Sequence, residues 1–254
     1  MRIAVIADIH GNILALEAVL ADLERQRIDL IVDLGDCVSG PLWPKETFER
    51  LKALNAPTVR GNHDRLVGEG LRADLGPSDA FACDALGSAD RTRLAALPFQ
   101  REFLPGVIGF HATPNHDDRY VLDEIAEGRL VRAPLDKIMR RLGPVSARIV
   151  LMGHSHRADV VRLPKGTFLV NPGSVGDPGY DDTTGQKHVS EAGIPHARYA
   201  ILDLSSSESM PDITFRAVSY DFERAARRAD DNGRPEWAHA LRTGFMPADI
   251  LLRS

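Results

Sequence analysis

Residues 3–12 of the chain read IAVIADIHGN, and this stretch decides the fold. Apolar residues typical of a buried strand run abruptly into a polar segment with aspartate, histidine, glycine and asparagine. Residues 13–26 carry apolar side chains at helical spacing, and Asn12 is placed to cap that helix. Residues 30–36, LIVDLGD, repeat the first pattern. Strand, helix and strand in this order predict an α/β fold with a parallel sheet covered by helices.

The composition favours one soluble globular domain over residues 1–254. Lys and Arg number 31 against 36 Asp and Glu, which gives a formal net charge of −5. Without a dense basic block, binding to a long nucleic acid is not expected. No apolar stretch approaches the ~20 residues that span a membrane. Two cysteines cannot form a disulfide framework, which favours a cytoplasmic location. The oligomeric state stays open, a homo-oligomer included.

Three later segments repeat the design of an apolar run that ends in polar residues, at 57–64, 107–111 and 148–156. The Gly-rich, acidic stretch 173–193 is expected to form a long loop on the side of the active site. Helices are predicted over 44–54, 78–97, 133–142, 220–230 and 235–243, within a C-terminal helical segment at 220–254, and β-strands over 158–163, 167–171, 197–204 and 212–218.

Residues of metal-ligand type cluster at these strand ends, where open α/β sheets bind their ligands. Asp8 and His10 are two positions apart, as are His154 and His156, and residues two apart on an extended chain face the same side. Imidazole, carboxylate and amide donors without thiolate suit divalent Mn, Fe, Zn, Ni or Co, with Mn preferred. The candidate donors at these strand ends are too many for one ion and suit two: Asp8, His10, Asp36, Asn62, His63, His111, His154 and His156.

Five blocks in this order closely resemble the signature of the calcineurin-like metallophosphoesterases. The segment NPGS at 171–174 is similar to that of the small bacterial branch with YfcE-type phosphodiesterases. Any single block is a weak match, whereas five in order, each at a predicted strand end, are specific. The blocks are DIH at 8–10, GD at 35–36, GNHD at 61–64, His111, and GHSH at 153–156.

The resemblance implies a four-layer fold of two mixed β-sheets packed face to face with flanking helices, and two metal ions in its cleft. A metal-bridging hydroxide would attack a small phosphodiester or phosphomonoester, the diester slightly preferred. His63 would not ligate a metal but would act on the substrate phosphate. One ion would be held by Asp8, His10, Asp36 and His156, and the second by Asp36, Asn62, His111 and His154.

One departure from the family pattern concerns the partner of His63. Many relatives carry an acidic residue three positions after the bridging aspartate, where this chain has Ser39. A serine cannot raise the basicity of a histidine as a carboxylate does, which argues against the protein-phosphatase subclass. Asp64 is adjacent to His63 in sequence, but adjacent side chains point apart.

Several roles stay open at this stage. Arg65 is expected to contact the phosphate or to form a surface ion pair. Asn171 and Ser174 are expected to bind substrate, with a structural Pro-Gly turn as the alternative. Tyr180, His188 and His196 are weaker candidates for the pocket. The alternative function is a catalytically retired scaffold that binds other proteins, but such a site should have lost ligands that this chain retains.

Overall fold

The computed structural model of the protein describes residues 1–204 and 210–252. None of the helices in these ranges has the length and apolar content to cross a membrane. The helices are α1 (Ile13–Glu24), α2 (Pro44–Leu54), α3 (Asn62–Glu69), α4 (Pro77–Ala85), α5 (Ser88–Ala95), α6 (Leu135–Leu142), α7 (Phe222–Asp231) and α8 (Pro235–Thr243). The strands are β1 (Arg2–Ile6), β2 (Leu30–Asp33), β3 (Gln100–Leu104), β4 (Val107–Phe110), β5 (Asp123–Ala126), β6 (Arg129–Arg132), β7 (Ile149–Leu151), β8 (Asp159–Arg162), β9 (Phe168–Asn171), β10 (Gly179–Asp182), β11 (His188–Glu191), β12 (Ala197–Asp203) and β13 (Asp212–Val218).

Two mixed sheets packed face to face form the centre of the molecule, as predicted. The first has the order β13-β12-β1-β2, with β1 and β2 parallel. The second has the order β3-β4-β7-β9-β8, with parallel pairs in its middle. Side chains from alternate strand positions fill the space between them. They include Val5 and Val32 from the first sheet and Ile149, Leu151 and Val170 from the second.

Helices cover the outer faces of both sheets and complete the four layers. Leu16 of α1 packs against Ala4 and Ile6, which alternate along β1 with the inward-facing residues. The side-chain oxygen of Asn12 caps α1, as predicted, by accepting a hydrogen bond from the Ala15 amide at 3.1 Å. α6 covers the second sheet in the same way.

A third, small mixed sheet departs from the prediction. Its order is β10-β11-β6-β5, so the stretch 173–193 contains a hairpin instead of forming one long loop. A Gly-rich, acidic sequence has low β-propensity, and this hides the strands. The hairpin is held by cross-strand pairing and by Val189, which packs against Ala240 and Met246 near the C-terminus. Local sequence patterns do not report such a distant contact.

The segment 57–69, which follows α2, is more helical than predicted. The run at 57–60 contributes one parallel bridge, Thr58 with Asp33, and Gly61 then leads directly into α3. α3 has eight residues, too few for an amphipathic repeat to be recognised.

The later helices follow the prediction more closely. The helix predicted over 78–97 is divided into α4 and α5 at Leu86 and Gly87. α7, α8 and a 3-10 turn at Ile250–Leu252 occupy the predicted C-terminal helical segment, of which residues 253–254 lie outside the described range.

Candidate metal centre

Six of the seven predicted ligands come together at one edge of the sandwich, beyond the carboxyl ends of β1, β2, β4 and β7, and the seventh, Asn62, is the first residue of α3. The backbone amides of Asp8 and His10 donate to the carbonyl oxygens of Gly35 and Asp36 at 2.9 and 3.0 Å, which joins the loops after β1 and β2. The ligand atoms form two groups, in each of which they lie within 4.8 Å of one another. The first group is Asp8, His10 and His156, and the second is Asp36, His111 and His154.

In the first group two imidazole nitrogens face each other. His10 Nε2 lies 3.0 Å from His156 Nε2, which is 3.5 Å from Asp8 Oδ1. Nδ1 of His10 donates to the carbonyl of Ser39 at 2.7 Å, and Nδ1 of His156 donates to that of Asp177 at 2.8 Å. A neutral imidazole with its proton on Nδ1 has a lone pair on Nε2. Two lone pairs therefore point at one another, an arrangement that a cation between them would stabilise.

Asp36 belongs to the second group and also lies close to the first. Its Oδ2 is 3.2 Å from His111 Nε2 and 3.8 Å from His10 Nε2. Nδ1 of His111 donates to the carbonyl of Leu34 at 2.7 Å, which directs Nε2 toward Asp36. The Oδ1 of Asn62 is buried and has no hydrogen-bond partner among the described residues. Unpartnered buried polar atoms are rare, and this amide oxygen fits the donor set of two bridged divalent cations.

Burial keeps three of the four imidazoles neutral, as metal ligation requires. It lowers the pKa of His10 to about 4, that of His154 to about 3 and that of His156 well below its ordinary value, because a charged ring loses its hydration. Burial also opposes protonation of His111, but the carboxylate of Asp36 outweighs it and raises the pKa of His111 to about 10. Metal uptake at the second group should therefore release a proton.

The ligand loops have a backbone conformation that the sequence does not reveal. The φ angles of Asp8, His10, Asp36, His154 and His156 are 55, 50, 56, 69 and 57°. Residues other than glycine rarely adopt this left-handed region, and such strain is common at functional sites. Asp8 and His10 reach the same group through left-handed turns, whereas His154 and His156 belong to different groups, so the extended chain assumed from their spacing is wrong.

Gly61 and Asp64 fix the loop of His63 against Asp36. A Cβ atom on Gly61 would overlap the Asp36 carboxylate, so only glycine fits at this position. The buried carboxylate of Asp64 accepts hydrogen bonds from the backbone amides of Asp36, Cys37 and Gly61 at 2.8, 2.9 and 2.9 Å. The amide of His63 in turn donates to Asp36 Oδ1 at 3.0 Å. Asp64 therefore positions the loop without contacting the His63 ring.

His63 has a carboxylate partner that the sequence reasoning missed. Its Nδ1 lies 2.7 Å from Oδ1 of Asp79, in the first turn of α4 and 16 residues further along the chain. Burial acts to lower the pKa of His63, but Asp36 and Asp79 outweigh it and raise that pKa to about 9. Ser39 thus does not leave the histidine without an acidic partner. The only signal in the sequence is an aspartate early in a predicted helix, a position common for reasons of helix stability alone.

The three predicted substrate-binding residues all make contacts within the protein. Arg65 forms two hydrogen bonds with the Asp117 carboxylate, at 2.7 and 3.0 Å. The Asn171 amide donates to the carbonyl of Gly153 at 2.7 Å, and the Ser174 hydroxyl donates to a carbonyl in the loop after β1 at 2.7 Å. Asn171 and Ser174 therefore support the ligand loops, and substrate contact by all three residues stays a prediction.

The weaker candidates lie in different places. The Tyr180 ring contacts the ring of His156, with 4.6 Å between centroids. His188 is buried, and its Nε2 lies 2.8 Å from the hydroxyl of Tyr120. His196 lies immediately before β12.

α8 contributes to the site, which the sequence does not suggest. The Trp237 ring lies 6.0 Å from the ring of His10, between centroids. Arg234, at the start of α8, donates to the hydroxyl of Ser78 at 2.9 Å, next to the Asp79 that holds His63. The last helix therefore lies beside the ligands.

Comparison with known proteins agrees with this geometry. A family model described as a calcineurin-like phosphoesterase superfamily domain matches residues 1–191. An uncharacterized protein of Methanocaldococcus jannaschii is 30% identical over 259 residues, which cover 92% of this chain and 94% of that protein.

Two solved structures resemble the fold over nearly the whole chain. A metallophosphoesterase from Sphaerobacter thermophilus is 24% identical, with a TM-score of 0.72 over 96% of this chain and 99% of that one. A hypothetical protein from Pyrococcus horikoshii is 20% identical, with a TM-score of 0.73 over 97% and 99%. The shared fold therefore extends beyond the 191 residues that the family model matches.

Proposed function

This chain belongs to the calcineurin-like phosphoesterase superfamily, and from that membership we propose that it is a cytoplasmic hydrolase that uses two divalent cations. Its proposed substrates are small phosphodiesters or phosphomonoesters, with the diester slightly preferred. One observation carries the proposal: Asp36 Oδ2 lies 3.2 and 3.8 Å from imidazole nitrogens of two separate ligand groups.

The donors divide between two positions that share Asp36. Mn is the proposed metal, since carboxylate, imidazole and amide donors without thiolate suit it. Two divalent cations would supply a bridging hydroxide at neutral pH and would neutralise charge that develops on the phosphoryl group. We assign Asp8, His10, Asp36 and His156 to one position, and Asp36, Asn62, His111 and His154 to the other.

His63 is assigned the proton transfer to the leaving oxygen. Its Nδ1 is bound to Asp79 at 2.7 Å, which leaves Nε2 as the nitrogen assigned to the substrate. The side chain is 32% exposed, whereas that of Asp36 is 2% exposed, so a substrate reaches His63 first. A positioned acid of this kind is typically worth about 10²–10⁴-fold in rate.

The partner proposed for this site is a small phosphorylated molecule. The net charge of −5 gives no long-range attraction for a polyanion. A compact phosphate ester, in contrast, would be attracted by the site itself. Two divalent cations would carry four positive charges, and the carboxylates of Asp8 and Asp36 would contribute two negative charges.

Hydrolysis by metal-stripped and metal-loaded protein tests the proposal. Protein treated with EDTA should be inactive on p-nitrophenyl phosphate and bis(p-nitrophenyl) phosphate, and about two equivalents of Mn²⁺ should restore activity. Asp212→Asn is the control variant, because Asp212 pairs in register with Asp203 at the end of the first sheet opposite the ligands. Its activity should respond to EDTA and Mn²⁺ as that of the wild type does. Metal-loaded protein that is inert on both esters and on a panel of nucleotides and sugar phosphates would favour the protein-binding scaffold instead.

A further inference from the structure

Three side chains form a hydrogen-bonded row beside the second ligand group. The hydroxyl of Tyr120 lies 2.8 Å from Nε2 of His188 and 2.8 Å from the hydroxyl of Tyr180. The Tyr180 hydroxyl also donates to the carbonyl oxygen of His154 at 3.2 Å. Tyr180 and His188 belong to the third sheet, and Tyr120 lies in the loop that leads into it. The row therefore joins the third sheet to a ligand loop of the sandwich.

The direction of these hydrogen bonds follows from one carbonyl group. Nδ1 of His188 lies 2.8 Å from the carbonyl oxygen of Gln186, so Nδ1 carries the proton and Nε2 accepts. Tyr120 then donates to His188, and the single proton of Tyr180 is shared between the Tyr120 oxygen at 2.8 Å and the His154 carbonyl oxygen at 3.2 Å.

Both tyrosine rings also lie against imidazole ligands. Tyr120 stacks on His154 with 5.0 Å between centroids and 24° between planes. Tyr180 meets the ring of His156 edge-on at 4.6 Å. The backbone of Asp118, two residues before Tyr120, forms a hydrogen bond with the His154 side chain. The segment 118–120 therefore contacts the His154 side chain in two ways: the Tyr120 ring stacks on the imidazole, and the Asp118 backbone forms a hydrogen bond with it.

Packing of the third sheet is the simpler explanation for these contacts, but it does not account for their polarity. Phenylalanine would fill the same space without the need to satisfy two half-buried hydroxyls and a buried imidazole. His154 and His156 also have φ angles of 69 and 57°, so their loop needs outside support to keep this conformation.

We propose that Tyr120 and Tyr180, held by His188, are positioning residues that set the orientation of His154 and thereby the metal affinity of the second ligand position. This assignment rests on the proposed function. It gives the third sheet a role in the metal centre without placing any ligand on it. Partners of this kind typically change metal affinity by roughly 10- to 100-fold.

Calorimetric titration of metal-stripped protein with Mn²⁺ tests the assignment without reference to activity. Tyr120→Leu removes both the stacking and the hydrogen bonds, and it should weaken one of the two binding events by roughly 10- to 100-fold while the other stays unchanged. Tyr120→Phe and Tyr180→Phe keep the rings and should produce smaller losses at the same event.

Tyr199→Phe is the matched control. Tyr199 is fully buried, whereas Tyr120 and Tyr180 are half-buried, and its hydroxyl donates to Asp22 at 2.6 Å in the core cluster with α1, so this variant should lose stability and keep both affinities. If Tyr120→Leu and Tyr180→Phe also lose stability alone, the tyrosines only pack and the assignment is wrong. Wild-type protein that binds no metal would instead overturn the proposed function itself.

Discussion

Two buried polar clusters on the first sheet differ in how well their polar groups are paired within the protein. On its outer face Asp22 accepts hydrogen bonds from Tyr199 at 2.6 Å, Arg216 at 2.7 Å and Arg25 at 2.8 Å. Each oxygen of this carboxylate is satisfied, and positive charges balance it. Burial would raise the pKa of Asp22, but these donors outweigh it and lower that pKa. The Asp22 cluster contains only interactions that stabilise the folded chain.

The ligand cluster at the edge of the same sheet contains unfavourable contacts. His10 Nε2 and His156 Nε2 face each other at 3.0 Å, and the side-chain oxygen of Asn62 lacks a partner among the described residues. Five ligand residues have left-handed backbone conformations. The comparison indicates that stabilising polar interactions and the candidate metal site lie at separate places. The polar groups of a site that binds cations lack suitable partners within the protein itself.

The largest expected effect comes from Asp36→Asn, which tests the ligand cluster at its shared residue. Loss of a bridging carboxylate should lower kcat by at least roughly 10³-fold, since several kcal/mol of charge stabilisation depend on the metal pair. Thermal unfolding with and without Mn²⁺ provides a second readout. Metal should stabilise the wild type by mass action and stabilise the variant much less. An equal rise in Tm for both proteins would contradict the bridging role.

His63→Ala separates chemistry from metal binding within the ligand cluster. The rate should fall by about 10²–10⁴-fold, because the leaving oxygen loses its proton donor. Metal content, measured by elemental analysis, should stay at about two ions per chain. Loss of one ion would show that His63 is a ligand and that its assigned role is wrong.

Asp79→Asn should produce a smaller loss, about tenfold, because His63 remains and only its orientation and charge balance change. The loss should be larger for esters with an alkyl leaving group than for p-nitrophenyl esters, whose leaving group needs little protonation. Asp74→Asn, in the exposed 3-10 turn just before α4, is the control. Equal losses with both leaving groups would indicate that Asp79 only supports the fold.

The smallest effect on activity is expected from Asp22→Asn, which tests the opposite cluster. The variant should lose about 1–3 kcal/mol of unfolding free energy at neutral pH and keep its activity per folded molecule. Because the pKa of Asp22 is lowered by folding, its contribution is present above the ordinary value of 3.8 and is lost as the pH falls through the lowered value. Denaturant titrations should therefore show the two proteins converging in acid. A constant difference at all pH values would rule out the charge of Asp22 as its source.

Much of the site could be predicted from the sequence, since its ligands follow strands whose apolar pattern is local. The structure brings six of the seven residues proposed as ligands into two groups and places the seventh, Asn62, at the start of α3. Two kinds of feature could not be predicted. Asp79 reaches His63 from another helix, and the strands of the third sheet are held by contacts with the C-terminal region. Neither contact has a periodicity or a short motif that would indicate it.

The sequence by itself determined the buried strands and the chemical character of the site, because strand burial and the residues after each strand are properties of short segments. The arrangement of two facing sheets was implied by the resemblance to a known family. Only the tertiary structure decided which carboxylate holds His63 and which rings lie against His154. Those choices join residues 16 or more positions apart, such as Tyr120 and Tyr180 at a separation of 60. They depend on how whole elements pack, and no single segment contains that information.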